Sequence, residues 1–265
     1  MDTLFLLRLV LTFFTGTIWI YFSISIGKKF GSKISGFIAG LPSTALLSFF
    51  FIGYSQSPVI ASSAATIFPL SYAMTGMFLL IYAKYVEKGL YFALSAGLSI
   101  WFSGALILAI LKPSNYLLNL LLYLIILILL VFSLKKISGS GSNINEKIIY
   151  SSSQITIRSL FGGLLITLAV LLSKIGGPVF GGIFAAFPAM FISTLAISYR
   201  SYGMRFSKAL TKPLLLTGMI TIVIFSIGVR YFYVLFGLYL GTILSVFLSS
   251  ISAFLTLAFI QKKIR

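Results

Sequence analysis

The sequence contains no cysteine and no histidine, and its acidic residues are Asp2, Glu87 and Glu146 alone. The first two absences exclude disulfides, thiol nucleophiles, imidazole general bases and Cys/His metal sites together. With carboxylates confined to the chain ends and loops, no pair exists for general acid–base chemistry and no oxygen cluster for a metal. These residue types argue against an enzyme, and they imply neither cofactor nor metal. No apolar run carries an interior Asp or Glu, the group that commonly titrates in proton-coupled carriers. Charge as a whole is sparse at 9% of residues, where soluble domains carry roughly a quarter.

What is present is apolar: 59% of the residues are hydrophobic and the mean hydropathy is +1.11. Too few charged side chains remain to cover a water-facing surface, so most of that surface faces lipid. Repeated apolar runs of ~20 residues, the length that crosses ~30 Å of hydrocarbon, point the same way. Charges and turn residues bound nine spans near 4–26, 34–53, 59–83, 89–111, 115–134, 155–173, 179–199, 209–228 and 232–260. The expected fold is an all-α polytopic membrane protein of about nine transmembrane helices. The last span is long for one crossing and is expected to tilt or project. Residues 135–154, rich in Ser, Gly and Asn, read as a flexible linker. The amino terminus lacks a basic region and a small-residue cleavage site, so it reads as a retained first helix.

A net charge of +17 would suit a nucleic-acid partner, but the positions of the charges assign it to membrane orientation instead. Sixteen of the 20 Lys and Arg fall on one side, in clusters around 28–33, 84–88, 135–158, 200–212 and 262–265. The other side receives Arg8, Lys112, Lys174 and Arg230. The positive-inside rule then puts the amino terminus outside a cell membrane and the carboxyl terminus in the cytoplasm. The dense loop Tyr199–Lys212, with interleaved Tyr, Met and Phe, suits a segment lying on anionic lipid.

An internal correspondence runs at a constant offset of 146 residues: Gly16, Lys28, Gly31, Gly36, Ala39 and Pro42 recur as Gly162, Lys174, Gly177, Gly182, Ala185 and Pro188. Pro69 and Pro213 follow after a two-residue gap. Residues 1–111 and 155–265 thus read as two four-helix repeats, with 112–154 supplying a linking helix and a polar cytoplasmic loop. Four helices, one linking helix and four more invert the second repeat relative to the first. Inverted repeats are a common architecture of secondary transporters, with the site at the midplane between the halves.

The Gly/Pro segments 36–48 and 182–194 are therefore the candidate site. A proline within a helix crowds the carbonyl four residues back, so Pro42 would free Ile38 and Pro188 would free Phe184. With those carbonyls, Gly40, Pro42, Ser43, Thr44, Ser48, Ala186, Pro188, Ser193 and Thr194 form the candidate substrate-binding set. The bland alternative is that the small residues simply let helices approach. Pro69 should bend its span, whereas Pro213 is expected to open its helix at the first turn. Arg8 and Arg158 are the charged candidates; near helix ends they are expected to snorkel to headgroups, and facing inward they would suit an anion.

At Gly181-Gly182-Ile-Phe-Ala185-Ala-Phe-Pro188, followed by an apolar stretch to Tyr199, the chain resembles the small GlpM-like membrane protein family. The first half, Gly36-x-x-Ala39-x-x-Pro42, matches less well because Ser35 stands in place of the first glycine. The resemblance implies a duplicated, fused version of a small membrane protein. The expected function is a secondary transporter or flippase-like carrier of a small organic or lipid-related molecule. An ion channel with paired bent helices and a structural membrane subunit are the alternatives. Membrane lipids and the unidentified substrate are the expected partners, without nucleic acid and with a homodimer left open.

Overall fold

Inside hydrocarbon every backbone N–H and C=O must be satisfied within the chain, so apolar runs of this length fold as helices. The computed structural model describes residues 2–29, 42–138 and 150–264, and among them no strand occurs. The helices are α1 Thr3–Lys29, α2 Ser43–Ser55, α3 Pro58–Tyr85, α4 Leu90–Leu111, α5 Tyr116–Ser138, α6 Ser152–Gly176, α7 Pro178–Ala185, α8 Ala189–Tyr202, α9 Met204–Pro213 and α10 Met219–Ile264. Among the described residues seven helical stretches are long and apolar enough to cross a membrane. Leu7, Phe14, Ile110, Leu117, Leu235 and Phe254 are exposed on them, as lipid-facing side chains must be. The protein is an all-α, multi-pass membrane protein.

Two elements depart from the sequence expectation for local reasons. Pro213 does not open a helix; it closes α9, and a five-residue π turn, Leu214–Gly218, carries the helix on into α10. A proline inside a helix deletes one ladder bond, and a π turn is a common way to absorb the defect. The π turn is bridged from outside, since Tyr123 Oη on α5 donates to the Met219 carbonyl at 2.7 Å. The stretch 135–154 is helical at both edges, to Ser138 and from Ser152, where Ser151 and Gln154 form a capping box.

At 46 residues, α10 would be roughly 69 Å long if straight, about twice the hydrocarbon thickness. It folds back instead at Gly237, whose φ of 74° and ψ of −174° leave the helical region. The two arms run antiparallel: Gly228 packs on Ser245, Gly241 on Phe232, and Ser249 Oγ donates to the Thr221 carbonyl. Only glycine takes that φ without strain.

α3 is the central post, packed against α4, α5, α7 and α10. Ala61, Ala64, Ala65 and Ala73 on it are fully buried, which lets the neighbouring backbones come close. α1 and α6 form the other main pair and also run antiparallel, since Phe5 lies by Lys174 and Gly16 by Gly163. At their crossing Gly16 faces Ile166, and Gly162 faces Ile20. The helical pairings sort the charges by end. Lys208 pairs with Glu87, and Arg200 with Tyr91, at one end; Arg8 bonds Ser55, and Arg230 bonds Ser62, at the other.

Candidate functional site

The corresponding prolines have the same backbone role. Pro42 (φ −77°, ψ 48°) precedes α2, and Pro188 (φ −77°, ψ 35°) precedes α8. Neither sits inside a helix. Proline at a helix start gives up no bond, because the first N–H groups have no partner in any case. The chain therefore stops α7 at Ala185 rather than bending through Pro188, and the Phe184 carbonyl is not freed. It accepts Phe187 N at 3.1 Å, while Ala189 N turns to the Phe187 carbonyl at 2.8 Å. Ile38 and Gly40 lie outside the described residues. The other repeat position, Ser57 ahead of α3 and Gly203 ahead of α9, is also a pair of helix caps at the offset of 146.

The break between α7 and α8 is closed from α3 and α4. Thr75 Oγ1 donates to the Ala186 carbonyl at 2.5 Å, and Trp101 Nε1 donates to Thr75 Oγ1 at 3.2 Å. Thr75, Ala186 and Trp101 are all fully buried. The Trp101 ring lies 5.0 Å from Phe187 and 6.2 Å from Phe184, edge-on to both, and Phe161 adds a ring at 6.5 Å from Phe187. A carbonyl without a helical partner, a hydroxyl and an indole N–H thus share a dry aromatic collar inside the bundle. In such surroundings an unmet polar group would cost several kcal/mol (about 2–7), so each bond fixes the position of the break.

A second polar cluster closes the end that carries Glu87. Tyr82 Oη and Ser207 Oγ are 2.7 Å apart, and Ser207 Oγ donates to the Leu195 carbonyl at 2.9 Å. Beside them Lys208 Nζ meets Glu87 Oε1 at 2.6 Å. The lysine's hydrogen bond and then its charge hold the Glu87 carboxyl, in the turn after α3, below the usual carboxylate range.

The sequence-derived candidates are distributed more widely than expected. Pro42, Ser48, Ala186, Pro188 and Thr194 are buried, and Ser43, Thr44 and Ser193 are half-buried. Ser193 and Thr194 both turn their hydroxyls back to the Met190 carbonyl of their own helix, at 3.1 and 2.7 Å. α2 meets α7 where Ile52 touches Gly181, yet among the described residues no hydrogen bond joins 42–48 to 186–194. Arg8 is half-buried; its Nη1 donates to the Ser55 carbonyl at 3.0 Å, capping the end of α2, and its guanidinium lies 5.3 Å from the Tyr54 ring. Arg158 donates to Tyr150 Oη at 2.8 Å and stacks on that ring.

Sequence reasoning passed over Thr75, Trp101, Tyr82, Asn119 and Tyr123. A signal existed for two of them: Asn119 is the lone amide in the very apolar α5, and Trp101 is one of two tryptophans. Asn119 Nδ2 ties α5 to α3 through the Thr66 carbonyl at 2.8 Å. Two apolar grooves open on the surface, of 220 Å³ between α1 and α6 and of 330 Å³ among α3, α4 and α5. Neither is lined by Thr75, Trp101 or Ala186, and the complete burial of those three residues occludes the break.

Fold and site together define a helical multi-pass membrane protein with a discontinuous helix sealed in its interior. No protein-family model, curated protein or solved structure matches the chain.

Proposed function

We propose that the protein is a secondary carrier, transporter or flippase-like, of a small organic or lipid-related molecule. On this reading two inverted four-helix halves, nine crossings with α5 as the link, rock about the α7–α8 break. The amino terminus lies outside and the carboxyl terminus in the cytoplasm. The observation that carries the proposal is the reciprocal packing at the α1–α6 crossing. Gly16 and Gly162 are counterparts, and so are Ile20 and Ile166; each glycine packs on the isoleucine that is the other's counterpart. A two-fold relation between antiparallel halves generates such reciprocal contacts, as an isologous interface does. The equivalent proline caps at 42 and 188 and the helix caps at 57 and 203 support the same relation. Discontinuous helices between inverted halves are where carriers of this architecture hold their substrates.

The experiment is reconstitution of Pro188→Ala and Thr75→Val beside the parent. Transbilayer movement of a fluorescent phospholipid and uptake of a panel of small organic solutes are measured. Slow, saturable movement of one probe, lost in both variants, is the expected result. Unitary currents in planar bilayers would replace the carrier reading with a channel, and no movement of any probe would favour a structural subunit.

A further inference from the structure

Arg230 is a cation within an apolar helical span, without an acidic partner among the described residues. It lies in the first arm of α10, half-buried, and its Nη1 donates to Ser62 Oγ at 2.8 Å. Ser62 is itself fully buried and returns a hydrogen bond to the Arg230 carbonyl at 2.6 Å. This reciprocal pair fixes the guanidinium one turn inside the amino terminus of α3. Its Nε is buried and has no partner among the described residues. Tyr116, the first residue of α5, is only 6% exposed, and its hydroxyl is buried beside Ser226. The Tyr116 ring lies 5.8 Å from that of Tyr231, the chain neighbour of Arg230, and Ser226 turns its own donor to the Val223 carbonyl, which leaves the serine oxygen able to accept.

A buried guanidinium N–H without a partner is costly unless a ligand meets it. Among the described residues no acidic side chain meets it. Glu87 lies at the opposite end of α3 and is taken by Lys208. The amino-terminal turns of α3 and α5 add positive potential at the same place. Anchoring Nη1 on Ser62 leaves the Nε–Nη2 edge, the side-on fork that receives two oxygens of a carboxylate or phosphate. The rim is apolar and lipid-facing, with Leu117 68% and Tyr231 44% exposed.

We propose that Arg230, Ser62 and Tyr116 form an oxyanion-binding site near the end of the bundle opposite Glu87, independent of the carrier reading. Its ligand is the phosphodiester of a membrane phospholipid or a free phosphate or carboxylate. Entry of the ligand requires a small rotation of the Arg230 side chain to uncover Nε.

The test uses the purified full-length chain and reads its unfolding temperature. In the lipid arm, phosphatidylglycerol is titrated into phosphatidylcholine nanodiscs. In the soluble arm, inorganic phosphate and acetate are titrated in non-ionic detergent, with potassium chloride as the screening control. The expected result is a saturable rise with one arm's probe. Half-saturation should move up about 10-fold or more in Arg230→Gln, since a hydrogen bond to a charged group is lost. Tyr116→Phe keeps the packing and should move it several-fold, and Arg230→Lys, which keeps charge without the fork, should fall between. The proposal is overturned if no probe raises the parent's unfolding temperature, if chloride matches the oxyanions, or if all three variants saturate with the parent. Should Arg230→Gln fail to fold, the tyrosine and lysine variants decide alone.

Discussion

Alanine at position 182 would bring its Cβ against the Ala64 carbonyl oxygen, with the Ala64 carbonyl carbon at 3.1 Å and Ile67 Cγ2 at 2.5 Å. The obstruction is backbone of the central post α3, which cannot yield without moving α7 away from it. Alanine at position 104 also lands on a neighbour, but that neighbour is the Met74 side chain, whose Cγ would stand at 2.7 Å. Both substitutions gain the same helix preference, about 1 kcal/mol. Overpacking against fixed atoms typically costs about 1–3 kcal/mol. Moving a flexible methionine off its rotamer costs about 0.5–1.5 kcal/mol. Gly104→Ala should therefore sit near zero, and Gly182→Ala should be less stable than the parent by up to about 2 kcal/mol. Reversible unfolding in mixed micelles, followed by circular dichroism against the mole fraction of denaturing detergent, gives both numbers. A Gly182→Ala protein as stable as Gly104→Ala would refute the close α3–α7 approach on which the position of the break depends.

Three further outcomes follow from the same structure. Gly16→Ala meets Ile166 Cδ1 at 3.0 Å, whereas Gly162→Ala runs into Ile20 Cδ1 and Met190 Cε, so both unfolding midpoints should fall and the second should fall further. In double-mutant cycles Gly16→Ala should couple to Ile166→Ala and Gly162→Ala to Ile20→Ala, each pair costing less than the sum of its single changes. Thr75→Val removes both hydrogen bonds at the break and should lower stability by about 0.6–1.7 kcal/mol, the range for such bonds in bilayers, in the same micelle assay. Tyr123→Phe strips the donor from the π-turn carbonyl at Met219. It should speed amide exchange in 214–219, measured by hydrogen–deuterium exchange, while leaving α4 unchanged.

Helix ends were legible because charges and turn residues mark where a span leaves the hydrocarbon. The expected spans 59–83, 89–111 and 155–173 lie within a few residues of α3, α4 and α6. Pro42 and Pro188 were legible as breaks but not as caps. Whether a chain bends through a proline or stops before it depends on tertiary partners for the exposed carbonyls, and the partner of Ala186 is Thr75, 111 residues away. Thr75 was invisible for the same reason: one threonine in an apolar span has no periodic signature. The hydroxyls of Ser193 and Thr194 looked available, yet an apolar interior makes their own helix the nearest acceptor. Arg230 was legible only as a charge on the sparse side, and its reciprocal bond to Ser62 spans 168 residues.

The absence of cysteine from the sequence permits a direct test of alternating access at the buried break. Thr75→Cys is reacted in proteoliposomes with a membrane-impermeant maleimide from each face, before and after Glu87→Cys and Lys208→Cys are bridged by a thiol-specific cross-linker with position 75 introduced last as a photocaged cysteine. The account predicts slow labelling of position 75 from both faces in the unbridged protein. Bridging the Glu87 end should leave labelling from the opposite face only. A position 75 that stays inert from both faces, or labels equally with and without the bridge, would contradict a carrier that rocks about the α7–α8 break.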